Sequence, residues 1–300
     1  VRALAATLFW SSSALQIDRL SNVYHLTALQ ISAWRILLVL PFLIAYMALF
    51  HRASLRLALV DLPFFATAGL IGITLSYVTW AASVDLNGPA VAAALSFCAP
   101  AFVAVGERFF FGVRLPRVAV GAIVINLVGC ALASGVHPGG SIVHSPLGLL
   151  AGLGNGVTFA TYTLLNRGTV SARPRDPLTV LLGIFVAGGI GLVVWGLLAE
   201  GTGLVSVHVD ALGWGFLGGV ALGPTLLAYA FFNSSLRSLP ATYATLVTTL
   251  EPPLVALGSL VLLHAMGSPQ QWMGIALIVG AVLTMQLSAL RAQSRTRRGV

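Results

Sequence analysis

The stretch Pro100-Ala101-Phe102-Val103-Ala104-Val105-Gly106 returns about 152 residues later as Pro252-Pro253-Leu254-Val255-Ala256-Leu257-Gly258. On the same shift Tyr77 falls on Tyr229 and Ser83 on Ser235, while Asn87-Gly88-Pro89-Ala90 resembles Ser238-Leu239-Pro240-Ala241. Further upstream, Asp18-Arg19 lies near Asn166-Arg167. Shared apolarity does not put Pro, Tyr and Gly in one order twice, so the chain reads as an internal duplication.

Both copies sit in apolar surroundings. Of 300 residues 58% are hydrophobic and 8% charged, against about a quarter charged in soluble domains, which excludes a water-soluble fold. Apolar runs near twenty residues recur, each long enough to cross a hydrocarbon core of roughly 30 Å. In lipid the backbone must satisfy its own hydrogen bonds, so the runs are expected to be helices. A β-barrel would need short segments of alternating polarity, which are absent. The fold class is thus all-α integral membrane, with ten transmembrane helices as two five-helix repeats. The crossings are expected at Ala3–Ile17, Leu26–Phe50, Leu62–Ser83, Pro89–Phe111 and Val118–Ser134, then Leu147–Leu165, Leu178–Ala199, Leu212–Phe232, Pro240–Leu263 and Gln271–Leu290. The first repeat occupies 1–134, a linker 135–146, the second repeat 147–290 and a basic tail 291–300. The first run lacks a basic flank and a small-residue cleavage site, so no cleavable signal peptide is expected. Cys98 and Cys130 lie in apolar runs without metal or disulfide spacing and read as packing residues.

The net charge of +8 carries topology. All the basic residues are arginine. Arg2, Arg52, Arg56, Arg108, Arg114, Arg117, Arg167, Arg173, Arg175, Arg237, Arg291, Arg295, Arg297 and Arg298 fall on one side of the ten-crossing scheme, Arg19 on the other, and Arg35 within crossing 2. The positive-inside rule puts both termini in the cytoplasm, here of a bacterial inner membrane. Arginines spread over several short loops argue against a nucleic-acid footprint. The tail is either a solvated end or a contact for anionic lipid heads. Five crossings per unit is an odd number, so the second copy enters from the opposite face. Such inverted repeats characterise secondary transporters, with a substrate site at the repeat interface near mid-membrane.

The residues resemble the EamA-type branch of the drug/metabolite transporter superfamily over nearly the whole chain. The resemblance rests on Ala33-Trp34-Arg35, the Tyr77 region, the stretch from Gly88 to Gly106, Leu250-Glu251-Pro252 and Trp272-Met273-Gly274. It implies ten helices, cytoplasmic termini, a cavity made mainly by crossings 1, 3, 4, 6, 8 and 9, and export of amino acids, drugs or related metabolites. Members often carry a Gly-Glu pair at the ends of crossings 4 and 9, where this chain has Gly112-Val113 and His264-Ala265. The four-helix multidrug relatives depend on a glutamate in crossing 1, and none lies between Arg2 and Ile17, so their proton exchange does not carry over.

Ionisable groups inside a bilayer are costly and tend to face a pathway. Glu251, about eleven residues into crossing 9, is a candidate proton carrier or ligand for a substrate amine, or else a structural carboxyl. Arg35 can clamp a substrate carboxylate in a bidentate fashion; it can equally pair with Glu251 or Asp18, or snorkel outward, and the structural ion pair is the favoured expectation. Glu107 beside Arg108 reads as an interfacial pair, with gating the second reading. Trp10, Tyr77, Trp80, Phe159, Tyr162, Tyr229, Phe232 and Tyr243 lie on crossings that the resemblance assigns to the cavity; aromatic walls suit flat substrates, while packing explains any one of them alone. Asn155, Asn233, Ser11 and Thr158 either bond across helices or line the cavity.

The Gly152, Gly154 and Gly156 string has no preceding strand and reads as close helix packing, not a nucleotide loop. Pro41, Pro63, Pro100, Pro224 and Pro252 are expected to interrupt helices. No cofactor is called for; the partners are a small-molecule substrate and membrane lipid, with a monomer plausible. The expected function is export of amino acids, aromatic ones included, with a proton-coupled drug exporter as the alternative. A membrane enzyme lacks the clustered nucleophile, base or metal ligands it would need, and a sensor or scaffold lacks an attached signalling domain.

Overall fold

Long apolar segments with few polar side chains form helices here, and the places where they stop are set by proline, glycine and capping residues. The computed structural model describes residues 1–134, 145–172, 175–263 and 268–298, and these contain no strand. Fourteen α-helices run in order: α1 (Arg2–Ser11), α2 (Ser13–Asn22), α3 (Ala28–Phe50), α4 (Leu62–Gly69), α5 (Ser76–Ser96), α6 (Ala99–Phe110), α7 (Arg117–Ala133), α8 (Pro146–Ala172), α9 (Pro177–Glu200), α10 (Ala211–Val220), α11 (Ala228–Ser235), α12 (Ala241–Thr248), α13 (Glu251–Leu263) and α14 (Pro269–Arg298). Among the described residues five stretches are long and apolar enough to cross a membrane: Ala28–Phe50, Leu59–Ser96, Pro177–Leu204, Ala211–Ser235 and Pro269–Ser288. Most of the expected linker, part of the basic tail's end, and His264-Ala265 fall outside the described residues.

The expected Ala3–Ile17 crossing is divided at Ser12 into α1 and α2, and two others are divided at corresponding places. The Pro89–Phe111 run is interrupted at Phe97-Cys98 before α6, whose first turn holds Pro100. The Pro240–Leu263 run is interrupted at Thr249-Leu250 before α13, which opens with Glu251-Pro252. Proline removes a donor and crowds the carbonyl four residues back, so each helix restarts at its proline. Gly88, at φ 80° and ψ 161°, adds a further kink ahead of Pro89. Pro41, by contrast, is accommodated inside a continuous α3, and Pro63 sits in the first turn of α4 without interrupting a helix.

Two π-helical segments also correspond, Leu70–Leu75 between α4 and α5 and Ala221–Leu227 between α10 and α11. Each inserts an extra residue into the turn, re-aiming the side chains that follow. The residues re-aimed include Tyr77 and Tyr229.

Hydrogen bonds and ion pairs sort the loops onto two faces. On one, Arg2 donates to the Ser234 carbonyl at 3.4 Å, Arg237 to that of Arg175 at 3.2 Å, Thr179 to that of Ser54 at 2.7 Å, and Arg175 pairs with Asp61 at 2.8 Å. On the other, Tyr24 donates to Asp210 and Thr27 to Glu200, both at 2.7 Å, and the Asn87 side chain is bonded to Ser145. The segments that carry Arg2, Arg175 and Arg237 therefore share one face with the turn after α3.

Asp210 caps α10 by accepting from Gly213 at 2.8 Å. That backbone bond, with the Tyr24 hydroxyl, holds its carboxyl below the usual aspartate range. A lowered folded-state pKa stabilises above the unfolded value and is lost as pH falls through the folded one. Asp210→Asn is therefore expected to lower the melting temperature at pH 7 and to leave it unchanged near pH 2, measured by thermal unfolding in detergent.

Small residues let α7 and α14 approach closely: a Cβ at Gly129 would meet the Gly274 carbonyl at 2.9 Å. Gly129→Leu is expected to destabilise by about 2 kcal/mol through overpacking, a loss visible as a lower melting temperature. The Gly152–Gly156 string packs the same way, with a Cβ at Gly152 meeting Leu95 at 2.6 Å.

Candidate functional site

Where the interrupted helices and the π-helical segments converge they enclose a chamber of about 190 Å³. The chamber continues into a wider one of about 750 Å³, the two sharing Ser13, Ile17, Trp80, Ala93, Phe97 and Glu251. The wider part reaches the helix ends at Asn22, Pro89, Ser134 and Gln271, on the face opposite the arginine-rich loops.

The two breaks form matching walls. Ser96, Phe97, Ala99 and Pro100 of the first repeat line the inner chamber, and Thr248, Thr249 and Glu251 stand in the corresponding positions of the second. Glu251 occupies the place of Ala99 and is the first residue of α13, where the positive end of the helix dipole favours a carboxylate. Asn126 of α7 anchors this break by accepting from Thr249 at 2.7 Å.

Arg35 lies across the chamber on α3. Its Nε donates to Thr225 Oγ1 at 2.6 Å, and its guanidinium carbon sits 5.1 Å from the centre of the Tyr77 ring. Thr225, in the π-helical segment, in turn donates to the carbonyl of Val220, five residues back at the end of α10, at 2.8 Å. Among the described residues Arg35 forms no ion pair with Glu251 or Asp18, contrary to the sequence expectation. The bond and the ring hold the guanidinium at its Nε side, leaving the terminal nitrogens for the chamber.

The aromatic residues divide into two sets. Trp10, Tyr77, Trp80, Phe159 and Tyr229 line the inner chamber. Trp10 is central, with ring centroids 6.0 Å from Phe159, 5.5 Å from Tyr229 and 5.4 Å from Phe232. Truncating Trp10 to alanine is expected to cost about 3 kcal/mol in stability by opening a cavity, measurable by thermal unfolding. Tyr162 and Phe232 are fully buried behind this layer. The Tyr162 hydroxyl donates to Asn233 at 2.9 Å, and both side chains lie on the arginine-rich side of the chamber. Tyr243 packs in a separate cluster with Ala119 and Met285.

Of the polar candidates, Asn155 lines the chamber and also bonds across helices, donating to the Ser76 carbonyl at 2.7 Å and accepting from Ser96 at 2.6 Å. Thr158 is buried and donates to the carbonyl of Asn155. Ser11 points back to the Leu8 carbonyl and does not line the chamber. Ser13, Thr248 and Thr249 do line it, and sequence reasoning passed over them. The signal was available, since Thr248-Thr249 lies just ahead of Leu250-Glu251 and falls on Ser96-Phe97 in the repeat alignment.

Glu107 turns inward and does not form the interfacial pair that was its first reading. It is fully buried, and its carboxylate accepts from the Ala241 and Thr242 amides at 2.8 and 2.9 Å and from the Thr242 hydroxyl at 2.6 Å. It therefore caps the start of α12 in the other repeat, satisfying amides that a helix N-terminus otherwise leaves unpaired. The expected pairing with Arg108 is not formed: successive residues on a helix point about 100° apart, and Arg108 is exposed on the other side. Beside this cap, Arg167 donates to the Leu236 and Leu239 carbonyls, both at 2.8 Å. Together these contacts tie α6 and α8 to the start of α12 and the segment before it.

A family model described as the EamA-like transporter family matches residues 1–135 and 146–287. The chain belongs to that family. A relative described as "Uncharacterized transporter YwfM", from Bacillus subtilis (strain 168), is 28% identical over 164 residues. That match spans 55% of this chain and 53% of the relative, about half the length of each. A solved structure titled only "Crystal structure of protein" superposes with a TM-score of 0.82 at 20% identity, covering 97% of both chains, and so shares the fold. The EamA match covers two repeats and belongs to a transporter family, not an enzyme family. The chamber of this EamA chain lies between the two matched segments, drawing Arg35 from one and Glu251 from the other.

Proposed function

We propose that the chain crosses a bacterial inner membrane ten times, as two inverted five-helix repeats with both termini cytoplasmic, and exports amino acids, aromatic ones included, or related metabolites by alternating access. The observation that carries this reading is a chamber, lined by both repeats, that continues into a wider one reaching the helix ends opposite the arginine-rich loops. The positive-inside rule makes the arginine-rich face cytoplasmic, and on that reading the chamber opens outward. Export then requires the reverse state, in which the contacts of Glu107 and Arg167 part and the outer wall closes.

Arg35 and Glu251 supply one cationic and one anionic group in the same chamber, with Trp10, Tyr77, Trp80 and Tyr229 around them. A zwitterion with a flat or apolar side chain meets both charges and the rings at once. A second reading, proton-coupled export of a drug-like cation, is favoured by the Glu251 carboxylate, which faces the chamber and makes no hydrogen bond among the described residues. The two are separated by purified protein in liposomes, following labelled phenylalanine and tryptophan with and without a pH gradient. Amino acid flux that Glu251→Gln slows with or without the gradient supports the first reading; its absence for every amino acid tested removes it. Flux that follows the gradient only when Glu251 is intact supports proton coupling.

A further inference from the structure

Glu107 turns into the protein, and its neighbour Arg108 is left facing outward at the foot of a second feature, a groove of about 630 Å³ between α6 and α7. Ala101, Ala104, Val105, Arg108 and Phe109 line one side at helical spacing, and Val120, Ile123, Val124 and Leu127 line the other. Each set forms one stripe, at intervals of three and four residues. The small side chains Ala101 and Ala104 set the groove's depth. Its rim is exposed apolar surface, with Phe109 80% and Val124 55% exposed. From Ala101 to Phe109 the helix rises about 12 Å, close to the roughly 15 Å that one leaflet contributes to the hydrocarbon core.

At the arginine-rich end of the groove stand Arg108 and Arg114, the latter just past the Gly112 turn at φ 65°. Both are exposed, and neither pairs with a carboxylate among the described residues. The acidic side chains on that face are engaged elsewhere: Asp61 with Arg175, Glu107 with the start of α12, and Asp176 as the cap of α9. A second copy of this chain therefore brings no spare carboxylate from the same face to meet these two cations. A membrane brings phosphate.

We infer that the α6–α7 groove is a binding site for an anionic glycerophospholipid, one acyl chain lying along the apolar stripes and the headgroup phosphate held between Arg108 and Arg114. Two arginines flanking one apolar slot can select lipid by charge.

The test uses the full-length protein in mixed micelles with equal amounts of phosphatidylglycerol and phosphatidylcholine of identical chains, reading retained lipid by native mass spectrometry. Wild type is expected to retain phosphatidylglycerol roughly tenfold over phosphatidylcholine. Arg108→Gln/Arg114→Gln is expected to bring the ratio near one, and the double lysine variant to restore most of it. Ala104→Phe, which fills the groove and leaves both cations in place, is expected to reduce retention of both lipids. Removing charge from the same face elsewhere, as Arg52→Gln/Arg56→Gln, should leave the ratio unchanged, and inorganic phosphate should not compete. No preference in wild type, an unchanged ratio in the double glutamine variant, or an equal fall in the Arg52/Arg56 control overturns the site. So does a wild-type dimer that the groove variants dissociate.

Discussion

Arg35→Ala is expected to lower the apparent affinity for a zwitterionic substrate about a hundredfold, the cost of removing one partner from a desolvated charge contact. The residue is buried, fixed at Nε by Thr225 and backed by the Tyr77 ring, so little else in the chamber can take its place. Lysine keeps the charge and loses both the planar fork and the Nε donor, so Arg35→Lys is expected to recover only a minor part. Equilibrium binding of labelled phenylalanine to purified protein reads the effect. Thr225→Val separates positioning from charge, since it leaves the guanidinium present and removes its anchor; an intermediate loss is expected. Unchanged binding in Arg35→Ala would show that the substrate carboxylate is met elsewhere.

Glu107→Ala is expected to destabilise the protein by about 3 kcal/mol and to favour the inward-open state. The magnitude follows from three donors, the amides of Ala241 and Thr242 and the Thr242 hydroxyl, losing a buried carboxylate partner, with each unsatisfied buried donor costing about 1–3 kcal/mol. The direction follows from location. The bonds join α6 of one repeat to α12 of the other, and on the proposed reading they part when the chamber opens to the arginine-rich side. Glu107→Gln keeps an acceptor for one or two of the donors and is expected to fall between. Thermal unfolding gives the stability, and modification of a cysteine introduced at Tyr162, in a variant without Cys98 and Cys130, reports opening from the arginine-rich side. A melting temperature unchanged by Glu107→Ala would mean the cap contributes nothing.

The repeat and the membrane character were legible because they depend on composition and on Pro, Tyr and Gly, residues whose order survives a duplication. The divided helices were half legible. Pro100 and Pro252 were flagged, yet Pro41 has the same chemistry and α3 runs through it, so sequence alone does not say which proline stops a helix. Which aromatic faces the chamber was not legible, because a helix buried on all sides has no polar stripe to mark its inner face. Tyr162 and Tyr229 looked alike in sequence, and only Tyr229 lines the chamber. Glu107 was misread for a different reason: Arg108 is its neighbour in sequence, whereas its partners lie 134 and 135 residues away. The π-helical segments left no sequence mark beyond Pro224 in one of them.

Side-specific labelling tests the account most directly. In a cysteine-free background, a single cysteine at Ser13, which lines both the inner and the wider chamber, is exposed to a membrane-impermeant maleimide in right-side-out and inside-out vesicles. The account predicts rapid modification from the outer face, protection by substrate, and little modification from the cytoplasmic face unless Glu107 is also replaced. Modification from neither face, or from the cytoplasmic face alone in the otherwise intact protein, contradicts it.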